Sequence, residues 1–181
     1  MARVVLNDEH LEEVLREGLD ACRRSLLIAT ADVKDLHIPV PAPLRRRGRG
    51  RARSIVQVLR TLCEKGVEVR LMHSGVPSGP FLQELKKGIP DGLTMRRCPR
   101  LHAKAMIVDG QWMYLGSANL TGAGLGAKSP RRRNFEAGIW TDEETMIDSV
   151  ADMLDAVWSG RECSRCGRHE HCPVPLEEPD L

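Results

Sequence analysis

Aromatic residues are scarce in this chain: two Phe, three Trp and one Tyr among 181 residues. Proteins that grip single-stranded nucleic acid by stacking bases need several rings interleaved with basic residues, so that binding class is not indicated. No apolar run approaches the roughly eighteen residues that cross a bilayer as a helix. The opening residues MARVVLNDEHLEE carry acids where a secretory signal would have its apolar stretch, and a cytoplasmic location is expected. An excess of one charge is missing too. The 27 Lys and Arg against 25 Asp and Glu leave a net charge of +2, so overall charge selects no partner and only its distribution is informative. Gly126-Ala127-Lys128-Ser129 lacks the Gly directly before Lys that a nucleotide-phosphate loop requires.

What is present is concentrated between Leu101 and Asn119, LHAKAMIVDGQWMYLGSAN. Two short apolar strands are predicted, Ala105 to Val108 and Trp112 to Leu115, joined by a turn at Asp109-Gly110. The polar residues at the strand ends follow a fixed spacing: His102-x-Lys104, four residues, Asp109, six residues, Gly116-Ser117-x-Asn119. Residues two apart on a strand face one side about 6.6 Å apart, which would aim His102 and Lys104 into one site. Ser117 and Asn119 return to the same end after the hairpin. An imidazole, a point positive charge and two neutral polar groups suit a phosphate diester.

These residues resemble the signature of the phospholipase D superfamily, matched here by His102, Lys104, Asp109, Gly116, Ser117 and Asn119. The resemblance implies that His102 is a nucleophile forming a phosphohistidine and that Lys104 and Asn119 hold phosphoryl oxygens. It also implies that Glu136, in the later stretch NFEAGIW, is an acid orienting the catalytic His. A carboxylate on the far ring nitrogen fixes the tautomer and stabilises the imidazolium. Asp109 is expected to organise the turn or pair with a neighbour rather than touch substrate. Enzymes of the superfamily need two such His residues, one to attack and one to protonate the leaving oxygen. Only one copy of the signature is present, since His10, His37 and His73 lack the trailing Lys and Asp. A homodimer is therefore expected, with His102 and Lys104 of each subunit meeting across a two-fold axis. The small single-motif Nuc-type and Zucchini-type nucleases are similar in this respect, and no catalytic metal is implied.

Taken in order, the rest of the chain alternates helix and strand. A leading strand over residues 1 to 6 is followed by Asn7 as N-cap and a helix from His10 to Arg23, with Cys22 as a core residue. Further expectations are a strand Ser25 to Ala31, a helix Ile55 to Lys65 closed by Gly66, a strand Val67 to Met72, and a short helix Phe81 to Lys87. After these come a strand Leu93 to Arg97, a strand Asn134 to Trp140 and an amphipathic helix Asp142 to Ser159. His73 is read as packing or surface. This alternation predicts one α/β domain over 1–160, a phospholipase D-like mixed sheet flanked by helices on both faces. A small Cys-rich metal-binding tail is expected over 161–181.

Two segments fall outside that frame. Residues 32 to 54 hold three Pro and then Arg45, Arg46, Arg47, Arg49, Arg51 and Arg53, a loop that should bury no core. It is read as a phosphate-binding arm, because Arg binds phosphates bidentately. Lys128, Arg131, Arg132 and Arg133 make a second basic rim after the signature. The tail CSRCGRHEHCP offers Cys163, Cys166 and Cys172 with His169 and His171. In a reducing compartment such a set favours metal over disulfides. Structural zinc is preferred, on three thiolates and either His169 or His171. A 4Fe-4S cluster with Cys98 as the fourth thiolate is the alternative. The functional expectation is a dimeric endonuclease on DNA or RNA. The competing ones are a phospholipid-hydrolysing or phosphatidyl-transferring enzyme and a non-catalytic nucleic-acid-binding subunit of a larger defence or repair complex.

Overall fold

In a computed structural model, which describes residues 1–41, 50–172 and 174–176, the chain builds a seven-stranded mixed sheet. The strands are β1 (Ala2–Leu6), β2 (Ser25–Thr30), β5 (Glu68–His73), β6 (Leu93–Arg97), β7 (Ala105–Val108), β8 (Trp112–Gly116) and β9 (Ala137–Thr141). Their order across the sheet is β1-β9-β8-β7-β2-β5-β6. β2, β5 and β6 run parallel, while β7, β8, β9 and β1 pair antiparallel from the other side of β2.

Alternation within the central strands explains why they are apolar on both faces. Leu26 and Ile28 of β2 and Met106 and Val108 of β7 enter one core with Val14, Leu59 and Phe81. Leu27, Ala29, Ala105 and Ile107 enter a second core with Ile147 and Leu154. Successive side chains of a strand point to opposite faces, so a strand covered on both sides reads as a continuous apolar run. The first face is covered by α1 (Leu11–Gly18 continued by Leu19–Ala21), α2 (Ile55–Glu64) and α3 (Gly79–Leu85), and the second by α4 (Glu144–Trp158). The expected mixed sheet with helices on both faces is thus observed.

Three local expectations are corrected. α1 winds as a π-helix over Leu11–Gly18 before closing as Leu19–Ala21, and Asn7 does not cap it. Asn7 takes a left-handed backbone (φ 48°), and its Oδ1 accepts from the Glu136 amide instead. Gly18 is required here because a Cβ would meet the Trp140 ring at 2.8 Å. The segment after β2 does bury core: Val33 and Leu36 are fully buried. It also forms a small hairpin of β3 (His37–Ile38) and β4 (Arg53–Ser54). Ser54 then opens α2 through a reciprocal capping box with Gln57, which satisfies two otherwise orphaned amides. Arg45, Arg46, Arg47 and Arg49 lie outside the described residues. Finally, the strand expected from Asn134 starts at Ala137, leaving Glu136 in the loop before it.

Candidate active site

The sheet has two ends, and the polar residues of the signature divide between them. β2 and β5 leave at the end where β7 enters, because β7 runs antiparallel to β2 with Ala29 opposite Ala105. Thr30, His73, the β6–β7 connection with His102 and Lys104, and the turn Gly116–Asn119 therefore gather at the carboxyl end of the parallel strands. Open α/β sheets commonly bind ligands at that end. His73 is buried there, with Nδ1 2.8 Å from the Gly75 carbonyl.

His102 is exposed and Lys104 is buried, with 8% of its surface accessible. Neither lies within β7, which starts at Ala105, but pairing reaches them because the Gly116 amide donates to the Lys104 carbonyl at 3.0 Å. The Lys104 ammonium turns back onto its neighbour. Nζ lies 3.0 Å from His102 Nδ1 and 3.2 Å from Nε2, and donates to the His102 carbonyl at 2.8 Å. Burial lowers the Lys104 pKa from its ordinary value, and the Glu136 carboxylate partly counters this.

Asn119 is fixed by its carbonyl oxygen. Oδ1 accepts from the amides of Ala31 and Asp32, both at 3.1 Å, and from the Thr30 hydroxyl at 3.2 Å. With the oxygen so committed, Nδ2 is the end of the amide left to donate to a ligand. Glu136 departs from its expected contact. Its carboxylate accepts from the Ser117 hydroxyl and, at 2.9 Å, from Asn134 Nδ2, and among the described residues it makes no hydrogen bond to His102. The acid therefore reaches the site by holding Ser117.

Asp109 stands at the opposite end of β7 and is no part of this cluster. At about 3.3 Å of rise per residue it lies some 16 Å along the chain from Lys104. Oδ1 accepts from the amides of Arg24 and Ser25 at 2.7 and 2.9 Å, and Oδ2 from that of Arg23 at 2.9 Å. Burial pushes its pKa up, but these three amides outweigh burial and leave the carboxyl below its ordinary value. Its positive φ of 55°, followed by Gly110 at 67°, makes the tight hairpin turn that was expected.

Sequence reasoning missed a buried relay under the Ser117 turn. His10 Nδ1 lies 2.8 Å from the Asn7 carbonyl, which can only accept, so Nδ1 carries the proton. Nε2 then accepts from the Tyr114 hydroxyl at 2.9 Å, and that oxygen accepts the Ala118 amide at 3.2 Å. Burial lowers the His10 pKa and raises that of Tyr114 to about 12, so both stay neutral. The only signal in the sequence was a His and a lone Tyr at apolar positions. The glycines that make room for the ring are clearer in retrospect, since a Cβ on Gly138 would come within 2.4 Å of Tyr114.

Among the basic residues, Arg131 and Arg132 are exposed on a single 3-10 turn, Pro130–Arg132, and Lys128 is exposed beside it. Arg133 is engaged with Asp8 at 2.9 Å and with the Lys128 carbonyl at 2.6 Å. Arg51 and Arg53 are exposed on and before β4. A cavity of about 250 Å³ opens beside His102, lined by Arg97, Arg100, Leu101, Met153, Val157 and Leu176 among others. Cys98, Cys163, Cys166, Cys172 and His169 also line it, whereas His171 pairs with Glu170 at 3.1 Å. Among the described residues, no three Cys, His, Asp or Glu side chains already stand in ligating geometry, so the expected tail site is not formed as it stands. No helix among the described residues is long and apolar enough to cross a membrane.

Comparison with known proteins agrees with this fold. The family model described as cardiolipin synthase, PLD-like domain, matches residues 16–158. Cardiolipin synthase B of Escherichia coli is 24% identical over 162 residues, a match covering 83% of this chain and 34% of that protein. The chain thus spans about a third of the length of the curated relatives it matches. Nuc from Salmonella typhimurium, a phospholipase D family member, superposes with a TM-score of 0.66 at 15% identity, over 100% of this chain and 99% of that one. NucT from Helicobacter pylori gives 0.60 at 16%, over 86% and 93%. At these identities the structural likeness concerns the fold.

Proposed function

Because the chain belongs to the phospholipase D superfamily, we propose that it is a nucleic-acid phosphodiesterase, a homodimeric endonuclease that cleaves DNA or RNA through a phosphohistidine. The observation carrying this reading is the 3.0 Å contact between the buried Lys104 ammonium and an imidazole nitrogen of the exposed His102. A buried cation held beside an exposed imidazole is placed to meet a phosphoryl oxygen as substrate arrives, while the imidazole attacks phosphorus.

His102 forms a nitrogen–phosphorus bond while the bond from phosphorus to the leaving sugar oxygen breaks. His102 of the partner subunit gives that oxygen its proton. The same imidazole, now neutral, takes a proton from water, whose oxygen attacks phosphorus and breaks the nitrogen–phosphorus bond. Lys104 and the Asn119 amide bear the charge on the equatorial oxygens. None of these steps calls for a metal ion. A single signature supplies one imidazole per subunit, which is why the cycle needs two. Exposed Arg131, Arg132 and Lys128 favour an extended polyanion as substrate.

Labelled DNA and RNA incubated in EDTA test this directly. Cleavage that His102→Ala abolishes supports the reading. Binding without turnover, unchanged by His102→Ala, replaces it with a non-catalytic binding role. The apolar lining of the cavity beside His102, with the likeness to cardiolipin synthase B, favours phospholipid chemistry as a second reading. Turnover of phosphatidylglycerol vesicles with no nucleic-acid cleavage would establish it.

A further inference from the structure

We propose that Cys98, Cys163, Cys166 and Cys172 close on one thiolate-bound metal centre, a zinc ion or an iron–sulfur cluster, which pins the C-terminal segment as one wall of the cavity beside His102. The four sulfurs come from two distant parts of the chain. Cys98 follows the last residue of β6, and the other three follow α4, yet all four line the same cavity. All are free thiols.

The tail has little else to hold it. No described residue from 160 to 176 is buried, and the described part forms turns rather than a helix or strand. A segment with no fully buried residue needs another source of order, and metal–thiolate bonds are the usual one in small elements. Its turns present the sulfurs suitably. The Cys166 amide donates to the Cys163 carbonyl at 3.0 Å, a tight turn that sets the two side chains of a Cys-x2-Cys pair on one side. Cys98 is anchored against the second core, and the three tail cysteines, none of them buried or in a helix or strand, are the ones free to adjust towards it.

The surroundings match the charge of such a centre. Zn²⁺ with four thiolates carries two negative charges, and a [4Fe-4S]²⁺ cluster with four thiolates carries the same. Arg97, Arg100 and Arg168 line the cavity with the sulfurs. His169 borders the cavity but is surplus once Cys98 supplies the fourth sulfur. His171, engaged with Glu170, stands aside.

The site does not depend on the nuclease reading, although its influence on the wall of His102's cavity does. Full-length protein and the variants Cys98→Ser, Cys163→Ser/Cys166→Ser and His102→Asn are purified with and without oxygen. Metal per chain is measured by elemental analysis, the absorption spectrum separates zinc from iron–sulfur, and tryptic cleavage after Arg161, Arg165 and Arg168 is timed. The expected result is one centre per chain in wild type and His102→Asn. Cys98→Ser as well as the tail double variant should lose it, with tail cleavage at least tenfold faster and the domain itself still folded. Protein without metal under both conditions, a Cys98 disulfide in its place, or full metal content in Cys98→Ser would each overturn the proposal. Because His102→Asn is inert under the nuclease reading, its metal content fails or holds independently of activity.

Discussion

The Tyr114 hydroxyl lies 2.9 Å from His10 Nε2 and accepts the Ala118 amide at 3.2 Å, so one buried oxygen ties the N-terminal helix to the turn bearing Ser117 and Asn119. Removing it leaves both partners buried and unpaired. Tyr114→Phe should cost about 1–3 kcal/mol, a drop in Tm of about 2–4 °C per kcal/mol for a chain of this size. Because the released amide sits between two site residues, kcat should fall by up to roughly 100-fold with a smaller change in KM. A variant that loses stability alone would show the relay to be packing.

The same relay gives a pH dependence. Burial lowers the His10 pKa below its ordinary 6.5 in the folded protein, so the unfolded chain binds the proton more readily. The stability from neutral His10 is therefore complete above about pH 6.5 and is lost as pH falls from there through the lowered folded value. Thermal unfolding between pH 7 and pH 5 should show this decline, and His10→Gln, which keeps an acceptor for Tyr114 but cannot charge, should flatten it.

Lys104 is buried, and the proposed mechanism uses it through its charge. Lys104→Met should lower kcat/KM by roughly 100- to 1,000-fold, the loss seen when one charge-stabilising donor is removed. The lowered Lys104 pKa places the alkaline limb of the rate profile below pH 10.5. A profile flat to that pH would remove the ammonium from the reaction.

The proposed site, with one imidazole from each subunit, makes activity quadratic in intact subunits. When wild type is mixed and exchanged with His102→Asn, turnover should follow the square of the wild-type fraction, about a quarter at equal amounts. Phe135, 97% exposed and next to Glu136, is an apolar group that a second copy would cover. Phe135→Glu should shift the protein towards monomer and lower activity in parallel. Linear dependence on the wild-type fraction would show each subunit to be self-sufficient.

Asp109 should behave as a structural residue. Asp109→Asn weakens three amide contacts at the start of β2 and should cost about 1–3 kcal/mol, with kcat/KM of the folded protein unchanged. Its folded pKa is held below the ordinary 3.8, so its contribution is present above that value and is lost as pH falls through the folded pKa. A kinetic defect without loss of stability would return Asp109 to the site.

The sequence by itself determined the sheet's central strands, the Asp109-Gly110 turn and the identity of His102, Lys104, Ser117 and Asn119. Each is encoded locally, in two-residue alternation, turn chemistry and fixed spacing. Only the tertiary structure decided what those side chains touch. It gave Asp109 the amides of Arg23, Arg24 and Ser25, gave Glu136 to Ser117, placed His10 and Tyr114 beneath the site, and brought Cys98 to the same cavity as cysteines 65 and more residues further on. Such contacts depend on which strands become neighbours, and strand order is set by burial on both faces of the whole sheet rather than by any single stretch of chain.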